Sequence, residues 1–82
     1  MNSCPWEAIV DNLPANDGAF VQRACQLDGV DYSPELDRLI IRVTVGVGLL
    51  GLMSDKLALL KESGEELFGQ IPTFVLALGR VS

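Results

Sequence analysis

A chain of 82 residues, 49% of them hydrophobic, has room for one small core and is too apolar to be disordered. Its net charge of −5 is concentrated in residues 1–37, where seven acids face Arg23 alone, while residues 38–82 carry four acids against five bases. An acidic half repels phosphate backbones, which argues against direct nucleic-acid binding and for a basic protein surface as partner.

Chemistry is equally restricted. There is no histidine, so the commonest acid–base group near neutral pH is missing. Cys4 and Cys25 lie far apart and have no imidazole to join them, which argues against a zinc site or thiol–imidazole catalysis. No enzyme activity, cofactor or metal is expected. A reduced pair is favoured over a disulfide linking the first two helices.

The stretch Met1–Glu7 lacks the basic and apolar blocks of a signal peptide. The longest uncharged apolar run, Val43–Ser54, is 12 residues, against about 20 needed to span a bilayer. A cytoplasmic location is the expectation.

Ser3 or Cys4 is placed to cap a first helix, with Pro5 in its first turn. Trp6, Ile9, Val10 and Leu13 then fall at i, i+3, i+4 and i+7, one apolar stripe. Pro14 ends that helix, and Asn16 or Asp17 is placed to cap a second carrying Phe20, Val21, Ala24 and Cys25 on one side. Cys25–Val30 reads as a weak first strand. The residues Asp31–Asp37 combine Pro, Ser and acids between two apolar runs and read as a turn. The acids Asp28, Asp31, Glu35 and Asp37 lack the spacing of a calcium loop, so a solvated hairpin loop is expected. Leu39–Val45, rich in β-branched residues, is the clearest strand.

A third helix begins near Leu49 and presents Leu49, Met53, Leu57 and Leu60 at helical spacing. Ser63-Gly64-Glu65-Glu66 has the form of a capping box, so the spacing predicts a break near Ser63 and a short restart to Phe68. Gly69 is a good terminator, Pro72 forbids continuation, and Thr73–Leu78 alternates as a last strand. The expected order is helix, helix, strand, strand, helix, strand: a single α+β domain over 1–82, with a small three-stranded sheet packed by about three helices. The closing strand–helix–strand unit should put its two strands parallel.

Gly46-Val47-Gly48-Leu49-Leu50-Gly51 matches the GxGxxG spacing of dinucleotide-binding turns, between an apolar strand and a helix. The fingerprint also needs an acid ending the next strand, and Thr73–Leu78 runs instead into Gly79-Arg80. No Lys or Arg lies inside the run to meet phosphate charge. The expectation is that these glycines turn the backbone and pack the third helix on the sheet, with Leu49 and Leu50 largely buried. A nucleotide- or cofactor-binding fragment is the alternative. Gly48-Leu49-Leu50-Gly51 is also a GxxG of the kind that clamps nucleic acid in KH domains, but with leucines where clamps carry bases.

Trp6-Glu7-Ala8-Ile9-Val10-Asp11-Asn12-Leu13, followed by Pro14-Ala15-Asn16-Asp17, by Leu39-Ile40-Ile41-Arg42-Val43, and by a helix ending Glu66-Leu67-Phe68-Gly69 before an apolar strand, resembles the N-terminal domain of the initiator DnaA. It is equally similar to the C-terminal domain of the polymerase III tau subunit, and more loosely to DciA-type helicase operators. The resemblance implies a KH-like fold and a docking role in DNA replication, toward a helicase, polymerase or initiator component. It further implies that Trp6 serves self-association and that Asp17 contacts the replicative helicase. The sequence departs from the family at Gly46–Gly51. Because the chain is more apolar than its length requires alone, Trp6 with Ile9 and Val10 of the same stripe are expected partner-binding positions, and the resemblance adds Asp17. A small acidic regulator of phage type that binds a basic partner surface is a further alternative.

Overall fold

The computed structural model describes residues 4–81, and Ser3, one of the two expected caps of the first helix, lies outside them. Two short helices, α1 (Pro5–Asp11) and α2 (Ala15–Ala24), precede a hairpin of β1 (Cys25–Ser33) and β2 (Arg38–Gly46). A long helix α3 (Leu50–Phe68) then leads to the last strand, β3 (Thr73–Gly79). The expected α+β order is thus the observed one.

The sheet runs β1-β2-β3, with β1 antiparallel and β3 parallel to the central strand. Alternation along β2 decides its inner face: Ile41, Val43 and Val45 are buried, while Arg38 before them and Arg42 between them are exposed. The buried side chains form one cluster with Trp6, Ile9 and Val10 of α1, Val21 and Ala24 of α2, and Met53 and Leu60 of α3. All three helices therefore cover one face of the sheet. Among the described residues, no helix is long and apolar enough to cross a membrane.

Three boundaries differ from those expected, the first because tertiary contacts outweigh a local preference. First, α3 is a continuous 19-residue helix that passes straight through Ser63 and Gly64. The Ser63 hydroxyl donates to the Ile9 carbonyl at 2.8 Å and accepts from the Asn12 amide at 3.1 Å. A serine so engaged across two helices has no call to cap its own. Gly64 supplies the close approach there, because a Cβ on it would lie 2.5 Å from the Pro72 ring. Secondly, Pro14 rather than Asn16 or Asp17 stands at the N-cap of α2, and its carbonyl accepts from the Gly18 amide at 2.9 Å. Neither Pro14 nor Cys4, the N-cap of α1, caps through its side chain. Thirdly, β1 continues three residues past Val30, since Asp31, Tyr32 and Ser33 pair with Ile40, Leu39 and Arg38. The turn shrinks to Pro34–Asp37, with Asp37 at φ 50, a left-handed conformation that Asp tolerates.

Candidate functional site

The glycine run resolves into a tight turn and little else. The Leu49 amide donates to the Gly46 carbonyl at 2.9 Å, closing a four-residue turn in which Gly48 occupies the third position at φ 88. Positive φ at that position is the signature of a type II turn and explains the glycine. A Cβ on Gly46 would come within 3.2 Å of the Leu49 side chain, so this glycine does serve close packing. Gly51 does not, because a Cβ there would meet nothing within 4 Å. Leu49 is half-buried, whereas Leu50 is exposed rather than buried as expected, because the first turn of α3 extends beyond the edge of the core.

Above this turn lies an open cleft of about 410 Å³, at the C-terminal ends of the parallel pair β2 and β3, with Arg23, Gly46, Val47, Leu49, Gly79 and Arg80 on its walls. Sequence reading finds no base inside the glycine run; folding brings Arg23 of α2 and Arg80 beyond β3 to its rim. Two guanidinium groups beside an apolar floor can hold a carboxylate or a phosphate.

The expected partner-binding positions are distributed differently. Trp6 is only 7% exposed, with its indole edge-on to Phe74 of β3 at 6.4 Å between ring centroids. Ile9 and Val10 are buried beside it. These three residues hold α1 to the sheet, so the stripe is core in the single chain. Asp17, in the first turn of α2, accepts from Lys56 of α3 at 2.7 Å, and the same ammonium lies 5.7 Å from the centre of the Phe20 ring. The carboxylate is half-buried and ties two helices together.

Three of the acids around the hairpin are also engaged. Asp28 accepts from the Thr44 hydroxyl at 2.6 Å, Asp31 pairs with Arg42, and Asp37 accepts from the Tyr32 phenol, which this bond holds above its ordinary pKa. Among the described residues, no group of three His, Cys, Asp or Glu side chains comes together to hold a metal ion. Both cysteines are free thiols, and burial pushes Cys25 up to about 11, with its Sγ donating to the Val21 carbonyl at 3.1 Å.

The fold also leaves large apolar side chains exposed. Strand β3 is an edge strand with no charged residue from Thr73 to Gly79. Val75 and Leu78 are 45% and 57% exposed along it, and Leu67, Phe68 and Ile71 are exposed in the segment leading into it. Sequence reading missed this surface because alternation in Thr73–Leu78 predicts a strand but not its place in the sheet. In comparisons with known proteins, no family model, curated protein or solved structure matches this chain.

Proposed function

We propose that this chain is a non-enzymatic protein–protein interaction module. The observation that carries the reading is β3: an uncharged edge strand, flanked by exposed large apolar side chains, on a domain whose other edge strand has its acids Asp28 and Asp31 engaged by Thr44 and Arg42. Unpaired strand edges and contiguous apolar surface are what partner recognition by strand addition uses. The resemblance to the docking domains of DnaA and the polymerase III tau subunit directs the reading toward replication, with a helicase, polymerase or initiator component as the protein partner. Trp6, Ile9 and Val10 support such a surface from below, and Asp17 offers the partner the part of its carboxylate that Lys56 leaves accessible.

The test is affinity capture from native lysate with fold-intact variants as controls. Val75→Lys should lose the captured protein, and Leu36→Lys, on the hairpin turn at the other side of the sheet, should retain it. Identical capture by both variants would overturn the reading.

A second reading, an anionic nucleotide or cofactor in the cleft above Gly46–Leu49, is favoured by Arg23 and Arg80 at its rim. Calorimetric titration with NAD, NADP, FAD and ATP is expected to be flat. One saturable micromolar isotherm would replace the first reading with the second.

A further inference from the structure

The two margins of the sheet are not equivalent, and the difference points to an occupant for one of them. On β3 the register with β2 runs without interruption from Thr73 to Gly79, so the strand is free of bulges. It holds no proline and no charge. Among the described residues, none of the backbone hydrogen bonds outside the regular elements involves β3, so its outward N–H and C=O groups have no backbone partner. Natural edges are normally blunted by charge, proline, a bulge or a covering segment, and β3 carries none of these.

Resting on the reading of this chain as an interaction module, we propose that β3 pairs antiparallel with β3 of a second copy, joining two three-stranded sheets into one of six strands. A two-fold axis makes the contact self-complementary and closes it at two copies. Centred on Leu76, the register sets Val75 opposite Ala77 of the second copy and Leu78 opposite Phe74, which covers exposed apolar surface on both faces of the strand. A neutral strand meets itself without like-charge repulsion. Its ends complement each other as well. Arg80 falls opposite Pro72 of the second copy, beside the last turn of α3, which holds Glu65 and Glu66, no base, and the negative end of the helix dipole. A seven-residue edge with its flanking side chains is a small interface, so the affinity is expected to be roughly micromolar.

Size-exclusion chromatography with light scattering, run from low-micromolar to near-millimolar protein, reads the association directly. The wild type should move from the 8.8 kDa mass of one chain toward twice that value. Val75→Lys and Ala77→Glu, each checked by circular dichroism for an intact fold, should each weaken dimerisation at least tenfold. Mixing V75K with A77E should restore it, because positions 75 and 77 face each other across the two-fold axis and opposite charges there attract. Leu36→Lys should dimerise like the wild type. A wild type that stays monomeric throughout overturns the self-pairing, and so does a dimer that both β3 substitutions leave intact. In the first case the docking reading survives if V75K loses a captured partner and falls with the self-pairing if it does not.

Discussion

Strands β1 and β3 flank the same central strand, yet their free edges are built in opposite ways. The edge of β1 is interrupted by a bulge between Leu27 and Gly29, and carries Asp28 and Asp31 on its exposed positions. Arg42 reaches from β2 across Gly29, where a Cβ would lie 2.8 Å from the guanidinium, to pair with Asp31. Any strand approaching β1 must displace that pair and accommodate the bulge. The edge of β3 has a regular register, no charge and an apolar side chain on each face. A three-stranded sheet has two margins through which to associate; this chain guards one chemically and leaves the other open. The contrast teaches that partner choice in so small a domain can be set by which edge is defended, with no cavity involved.

The largest expected effect comes from dislodging β3 itself. Gly64 lets α3 approach Pro72, the buried residue just before the strand, and a proline ring cannot rotate aside. Gly64→Ala should therefore cost about 3 kcal/mol by chemical denaturation, although alanine brings about 1 kcal/mol of better helix propensity. A neutral or stabilising result would mean that the helix–strand approach is slack, and β3 would lose its fixed position.

Next comes the anchor of β1. Cys25, the first residue of that strand, has a thiol raised from 9.0 to about 11 by burial. Below pH 9 both folded and unfolded chains hold the proton. Between pH 9 and 11 the unfolded thiol ionises while the folded one does not, so stability falls as pH rises through that window. The loss should reach about 2 kcal/mol by pH 11. Cys25→Ala should remove this part of the alkaline slope in denaturation measured at each pH, and an unchanged slope would assign it elsewhere.

A smaller change in stability tests the defended edge. Asp28→Val with Asp31→Val removes both acids, the Thr44 hydrogen bond and an exposed ion pair, at a cost of about 1 kcal/mol. Placed in the V75K background, where β3 is closed, the double substitution should create new association through β1, detected by light scattering. A protein that remains monomeric would show that the bulge alone guards the strand.

Most of the fold was legible because its elements carry their own periodicity. The Trp6–Leu13 stripe, the β-branched run of β2 and the Gly69–Pro72 terminator each specify structure within a few residues. The misreadings fell where distant groups meet. Ser63 and Gly64 have the letters of a capping box, but Ile9, Asn12 and Pro72 recruit them from other parts of the chain. The candidate sites were less legible for the same reason. Arg23 and Arg80 share a cleft rim despite their separation in sequence, and the openness of β3 depends on strand order. Local pattern gives a residue its face, and only the assembled sheet gives it an edge.

The central claim, that β3 is the open edge and β1 the closed one, is tested most directly by amide hydrogen exchange at low and high protein concentration. Amides of Thr73–Gly79 facing away from β2 should become protected as concentration rises, while those on the outer edge of β1, from Cys25 to Ser33, should exchange at an unchanged rate. Equal protection of both edges, or concentration-dependent protection confined to β1, would contradict it.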